Sequence, residues 1–226
     1  MENEDIKIGI TGDTHGEDNI ERFLMAERDK YTDLFITGDF GYIFFEKDVS
    51  MEETLDKIND LGIKIYFIDG NHENFNLLNN YPVSEFNGGK VQYIRPNIIH
   101  LMRGEIYDFN GTKIFALGGA NSTDKMWRTR GLNWWQEELP SKEEREYALG
   151  NLSKQNNKVD LILTHTCYSQ ALKKLGAEYR IDEFTEYLET INQSVDYKEW
   201  YCGHMHTEKI IDKVHFMYEN IQELIL

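Results

Sequence analysis

The chain is predicted to be α/β, built on parallel strands whose carboxyl ends carry its chemistry. Three observations lead there. Apolar, β-branched runs alternate with helix-patterned segments through the first 70 residues, in the order β-α-β-α-β. Each run closes on a short loop of glycines and polar side chains: Gly12-Asp13-Thr14-His15-Gly16, Gly38-Asp39-Phe40-Gly41 and Gly70-Asn71-His72-Glu73. The pattern resumes late in the chain, at Thr164-His165 and Gly203-His204-Met205-His206. In sheets with right-handed crossovers, ligands collect beyond the carboxyl ends of the strands.

The elements follow in order. Residues 6–10 read as the first strand, and 18–30 as a helix with Ile20, Phe23 and Leu24 on one face. Residues 33–37 are the second strand. Ser50 and Glu53 form a capping box for the second helix; Leu55, Ile58 and Leu61 face inward, and Gly62 stops it. Residues 63–68 are the third strand. The middle changes character. Residues 98–102, 105–109 and 113–117 read as consecutive antiparallel strands, with Asn110-Gly111 as a two-residue hairpin turn. An irregular segment over about 120–140 then holds Trp127, Arg128, Arg130, Trp134 and Trp135. Ser141 and Glu144 make a capping box for a helix to residue 151. Residues 159–163 are a strand, 168–175 a short helix closed by Gly176, 182–192 a helix with Phe184, Leu188 and Ile191 inward, and 199–202 a strand. The tail from 208 alternates well enough for two or three closing strands. No repeat, low-complexity tract or linker interrupts the chain, so residues 1–226 are expected to form one domain.

Composition narrows the function. The 226 residues are 40% hydrophobic and 13% aromatic, enough for a packed core. The net charge of −16 opposes stable binding to duplex nucleic acid, which relies on Lys/Arg contacts to phosphate. It leaves a phosphate substrate open, because bound cations reverse the field inside a cleft. Two cysteines, Cys167 and Cys202, make no disulfide framework and read as small buried hydrophobes. The acidic start and the lack of a long apolar run argue against a leader or a membrane span, so a cytoplasmic protein is expected.

Five of the seven histidines lie in the strand-end loops, with Asp13, Asp39 and Asn71 beside them. His100 and His215 fall within strands and read as packing or surface residues. Any one loop histidine is most simply structural, but five strand ends together point to a metal centre. Carboxylate, imidazole and one amide oxygen suit manganese foremost, with iron, zinc or nickel as other candidates. About seven ligands exceed one tetrahedral site and fit two ions, which clamp the attacking and leaving oxygens of an in-line displacement at phosphorus and activate a water between them.

These blocks, in this order and spread over nearly the whole chain, resemble those of the calcineurin-like metallophosphoesterase superfamily. The resemblance implies a four-layer α-β-β-α sandwich of two mixed sheets, with a dinuclear site at strand ends. It implies that Asp13, His15 and His206 bind one ion and Asn71, His165 and His204 the other, with Asp39 between them. His72 would contact the scissile phosphate and stabilise or protonate the leaving oxygen. The expected activity is hydrolysis of phosphate mono- or diesters, of small-molecule or nucleotide type, by attack of a metal-bridging hydroxide. One block departs from the family: Gly38-Asp39-Phe40-Gly41-Tyr42 has Tyr42 where a second Asp is common, and no Arg follows. This weakens a serine/threonine protein phosphatase as the alternative; a non-catalytic metal-binding scaffold is a third. The stretches 118–140 and 70–75 resemble a group of bacterial and phage members.

Substrate choice is expected in the irregular segment. Arg128 and Arg130 are fork-shaped phosphate donors in an acidic chain, and Trp134 and Trp135, like Trp127, offer flat faces for a base. The competing reading is a surface segment whose tryptophans pack on the core. Glu73 and Asp124 are candidates for orienting His72 or a ligand from behind.

Overall fold

A computed structural model describes residues 7–16, 20–45 and 49–225. Strands β1 (Ile8–Thr11), β2 (Asp33–Ile36), β3 (Lys64–Phe67), β4 (Val83–Phe86), β5 (Gly89–Arg95) and β6 (Ile98–Leu101) share one mixed sheet. Strands β7 (Glu105–Phe109), β8 (Thr112–Leu117), β9 (Leu161–Thr164), β10 (Glu199–Cys202), β11 (Lys209–Ile211) and β12 (Val214–Phe216) form a second. The closing strand β13 (Gln222–Glu223) returns to the first sheet beside β1. The spatial orders are β13-β1-β2-β3-β6-β5-β4 and β11-β12-β10-β9-β8-β7.

Side chains of period two sort the core into layers. Phe35, Tyr66, Ile114, Ala116, Leu161, Leu163 and Tyr201 fill the space between the sheets. Their neighbours in sequence point outward. Leu34, Ile36, Ile65 and Phe67 meet the helices α1 (Glu21–Arg28), α2 (Val49–Asp60) and α3 (Phe75–Leu78). Phe115, Leu117, Ile162 and Trp200 meet α4 (Lys142–Lys154), α5 (Ser169–Leu175) and α6 (Glu183–Ser194). The result is the α-β-β-α sandwich the resemblance implies. The central strands are apolar on both faces because both are covered. No helix among the described residues is long and apolar enough to cross a membrane.

The capping boxes of α4 (Ser141 with Glu144) and α6 (Asp182 with Thr185) are both formed, and Gly176 ends α5 in the left-handed conformation. Two expectations change. Strand β6 does not pair with β7: it pairs parallel with β3 and antiparallel with β5, and the chain crosses to the other sheet at 102–104. All four residues of β6 are buried, the mark of a central strand rather than a hairpin edge. The unexpected partner is the hairpin β4–β5, turned by Asn87 (φ 50°) and Gly88 (φ 87°), the same two-residue turn chemistry as Asn110-Gly111. The second helix is described over Val49–Asp60, with Ser50 in its first turn. Ile6 of the first expected strand, and residues 18 and 19 of the first expected helix, lie outside the described residues.

Candidate metal centre

Adjacent strands of both sheets aim their carboxyl ends at one point. From the first sheet, β1 delivers Asp13 and His15, β2 Asp39, and β3 Asn71 and His72. From the second, β9 delivers His165 and β10 delivers His204 and His206. All eight expected side chains therefore share one end of the sandwich. Their atoms fall into converging groups whose ligand atoms lie within 4.8 Å of one another: Asp13, His15 and His206; Asp39, His165 and His204; and His15, Asp39 and His72.

The distances are those of donors facing a common centre. His206 Nε2 lies 3.0 Å from Asp13 Oδ2 and 3.0 Å from His15 Nε2. His165 Nε2 lies 3.2 Å from Asp39 Oδ2 and 3.2 Å from Asn71 Oδ1. Asp39 Oδ2 is also 3.8 Å from His15 Nδ1, so it stands between the two groups. Local backbone is bent to achieve this. His15, Asp39, His204 and His206 all have φ between 47° and 63°, a left-handed conformation that costs non-glycine residues about 1 kcal/mol or more each. Gly70 is required for a different reason: a Cβ there would collide with the Asp39 carboxylate.

Backbone groups and side chains behind the donors fix their orientation. His165 Nδ1 faces the Thr37 carbonyl at 2.8 Å, which leaves Nε2 as the free nitrogen toward the centre. Asn71 Nδ2 donates to Ser122 Oγ at 3.1 Å, turning its amide oxygen inward. Asp39 Oδ1 accepts from His72 N at 2.7 Å, and Asp13 Oδ1 from His204 N at 3.0 Å. Glu73, buried, accepts from Phe40 N (2.7 Å) and Gly41 N (3.3 Å), so it braces the Asp39 loop rather than the His72 ring. Arg22 of α1 reaches the Gly12, Asp13 and Tyr218 carbonyls and ties down the first loop.

The electrostatics fit a divalent cation. Asp13 and Asp39 are buried carboxylates with no lysine or arginine paired to them among the described residues. Buried charge of this kind needs a counter-charge. Burial alone would lower the His165 pKa, yet Asp39 and then Asp13 overcome it and push it up to about 10. Burial holds His15 below the ordinary histidine range despite Asp39 and Asp13, and holds His204 well below it, helped by His165. The hydrogen bond from Asp13 likewise raises His206; buried carboxylates that draw positive charge toward them, beside imidazoles that burial keeps neutral at His15 and His204, suit a cation.

Next to the donors lies a cavity of about 270 Å³ lined by His72, Ser122, Asp124, Arg128, Arg180 and His204 among others. Arg128 lies against His72, its Nη1 3.4 Å from Nδ1 and Nη2 3.2 Å from Nε2. Asp124 holds it there, with Oδ1 2.8 Å from Nε. Burial lowers the His72 pKa; Asp39 opposes this and Arg128 adds to it, for a net shift below the ordinary range.

The other substrate candidates stand elsewhere. Arg130 is exposed and donates to Gln136 Oε1. Trp135 is 3% exposed and packs edge-on against Phe44 in the core. Trp134 pairs by backbone with Arg130 and does not line the cavity. Tyr42, at the departing position of the second block, is a core residue packed on Phe23 and Phe40. Arg180, Ser122 and Arg22 were not singled out from the sequence. Ser122 and Arg180 touch groups 51 and 24 residues away, and Arg22 ties Gly12 and Asp13 to Tyr218 across the fold, so none carries a local signal.

Comparison with known proteins agrees with this geometry. The family model of the calcineurin-like phosphoesterases matches residues 6–208. A lariat debranching enzyme of Schizosaccharomyces pombe is 28% identical over 177 residues, covering 71% of this chain but 36% of its own length. In fold, the chain is similar to a putative 5′-nucleotidase from Staphylococcus aureus solved with alpha-ketoglutarate: TM-score 0.52 at 15% identity, over 94% of this chain and 48% of that one. The NAD nucleotidase of Haemophilus influenzae aligns at a TM-score of 0.43 and 15% identity, over 95% of this chain and 41% of its own. The chain thus spans between a third and a half of the proteins it matches. With the family model covering most of its length and the strand-end donors converging, the chain belongs to the calcineurin-like phosphoesterase family of metal-dependent phosphoester hydrolases.

Proposed function

We propose that residues 1–226 act as one catalytic domain that hydrolyses phosphodiesters at a two-cation centre. Asp13, His15 and His206 hold one ion, and Asn71, His165 and His204 the other, with Asp39 shared. The observation that supports this most is the Asp39 carboxylate, whose Oδ2 is 3.2 Å from His165 Nε2 and 3.8 Å from His15 Nδ1. One buried oxygen thus reaches both donor groups. Manganese is the ion we put first; the oxygen and nitrogen donors also accept iron, zinc or nickel. Two unpaired buried cysteines, Cys167 and Cys202, favour a reducing, cytoplasmic setting.

Bound at this site, two divalent ions supply charge for the phosphoryl oxygens and a water nucleophile near neutral pH. The chain does the rest. Thr37 and Ser122 hold His165 and Asn71 with their ligand atoms inward. His72, carried by the loop whose backbone N–H bonds Asp39, places its ring beside the centre, with its centroid 5.1 Å from that of His15. It donates a hydrogen bond to the leaving oxygen as the ester bond breaks. Arg128 backs His72 and offers a second donor to a phosphoryl oxygen. The cavity, about 270 Å³, is larger than a phosphate group needs, which leaves room for the substituents of a diester.

The test is nitrophenol release from bis(p-nitrophenyl) phosphate and from the mono-ester, with Mn²⁺ in excess and with the ion chelated. Faster, metal-dependent turnover of the bis-ester is expected. A mono-ester preference would turn the reading to a phosphatase, and turnover in chelator would overturn the metal centre.

A further inference from the structure

Among the described residues Arg22, Arg130 and Arg180 have no carboxylate partner, and Arg22 and Arg130 are taken up by backbone carbonyls and by Gln136. Arg95 pairs with Glu52 and Asp56, Arg103 with Asp69 and Glu144, Arg145 with Glu183, and Arg128 with Asp124. Arg180 is different. It lines the cavity beside the metal donors, yet its Nη1 makes only long contacts, 3.5 Å to His204 Nε2 and 3.4 Å to Thr123 Oγ1. Its Nε is buried and has no hydrogen-bond partner among the described residues. A buried donor left unmade costs about 1–3 kcal/mol, a cost that an arriving anion would remove.

Tyr179, the residue before it, stands on the same short turn (Glu178–Arg180). Its ring is 76% exposed, and the Arg180 guanidinium lies over it, 5.4 Å from the centroid. The ring also lines a small polar niche that opens off the cavity past Arg180 and His204. Asn121, Thr123 and Thr166 supply polar groups there; Asp182, also present, is occupied as the N-cap of α6. An exposed ring beside an unpaired guanidinium, at the mouth of a phosphoester site, is the pairing that single-stranded nucleotide binders use.

We propose that Tyr179 and Arg180 form a nucleotide subsite on the His204 side of the centre. Arg180 donates to an oxygen of the substrate phosphate, and the Tyr179 ring stacks on the base attached to it. The substrate class is then a nucleotidyl phosphodiester, deepening the phosphodiesterase reading on which it rests. This fits the chain's charge, because one stacked base and one or two guanidinium contacts need no extended basic surface.

The experiment compares two diesters with one leaving group, thymidine 5′-(p-nitrophenyl phosphate) and methyl p-nitrophenyl phosphate, on the Mn²⁺-loaded protein. In parallel, calorimetry measures binding of thymidine 5′-phosphate and of methyl phosphate. Base stacking predicts a KM about tenfold lower for the thymidine ester, and a similar preference in binding. Tyr179→Ala should bring both ratios close to one, and Tyr179→Phe, which keeps the ring, should retain them. Arg180→Gln should weaken all four ligands together. Equal ratios in wild type and Tyr179→Ala, or no nucleoside preference in wild type, would overturn the subsite while leaving hydrolysis intact. If neither ester turns over but thymidine 5′-phosphate binding depends on Tyr179, the subsite stands and the hydrolase reading falls.

Discussion

The strand-end cradle and the segment over about 120–140 meet at one cavity but are built on different principles. In the cradle, position follows from connectivity. A residue one to five places past β1, β2, β3, β9 or β10 has little other place to go, because the sheet registers lock adjacent strands together. In the segment, two short 3₁₀ turns and isolated contacts set position, so neighbours in sequence part company. Trp135 enters the core while Arg128, seven residues earlier, faces His72. The lesson is that the cradle should fail completely when one donor is lost, whereas the segment should fail residue by residue.

The largest effect expected is at Asp39. Asp39→Ala removes the carboxylate that both donor groups face, along with the acceptor for the His72 backbone N–H. Loss of metal-centred catalysis is worth several kcal/mol, so kcat should fall at least about a thousandfold, with the protein recovered metal-poor by elemental analysis. His72→Ala should lower kcat by about 10²–10⁴, the range of a positioned proton donor, while the bound metal stays near the wild-type amount. Full metal retention in Asp39→Ala would break the comparison at its strongest point.

How much could be read in advance follows from the same contrast. The five loops were legible because each places its ligand-type residues directly after an apolar run and beside glycine. The four-layer α-β-β-α sandwich came with the resemblance those loops carry; in the structure alternation realises it, as in Leu34-Phe35-Ile36, where successive side chains serve different layers. What was hidden depended on contacts across the fold. Ser122 touches Asn71 from 51 residues away, and Arg180 reaches His204 from 24. Asp69 is buried between His100 and Arg103, joining β3, β6 and the start of β7 beneath the Asn71 loop. Neither its neighbours nor its spacing mark it out. The β4–β5 hairpin carried a visible Asn87-Gly88 turn, but its outer strand alternates on a half-exposed edge and lacks the apolar run that drew the eye elsewhere.

Ser122 sharpens the comparison, because through it the segment holds the Asn71 amide of the cradle. Its Oγ accepts from Asn71 Nδ2 and so sets which end of the amide faces His165. Its own N–H is held by Glu138 Oε1 at 3.1 Å. Ser122→Ala leaves the amide free to turn. Metal affinity at the Asn71, His165 and His204 group should drop about 10- to 100-fold, the usual cost of losing an outer partner. The Asp13, His15 and His206 group should hold its ion. Competitive chelation would separate the two, and equal weakening of both would mean the segment and cradle act as one unit.

The smallest contrast is between two arginines two residues apart. Arg128 lies against both ring nitrogens of His72 and is fastened by Asp124, so Arg128→Ala removes a guanidinium from the reacting face and frees the His72 ring. A charged hydrogen bond of about 1.5–3 kcal/mol predicts a loss of roughly tenfold or more in kcat/KM. Arg130 points away to Gln136 on the exposed side of the same turn, and Arg130→Ala should stay within about twofold, as surface substitutions usually do. In sequence these residues are alike: both are arginines beside Thr129, in a stretch with tryptophans on either side, and both are candidate phosphate donors. Only the path of the backbone between them, closed by Arg128 N to Lys125 O and by Gly131 N to Trp134 O, sends one inward and the other out. Equal losses in steady-state assays of the two variants would show that the segment moves as a lid when substrate binds, and would carry Arg130 back to the site.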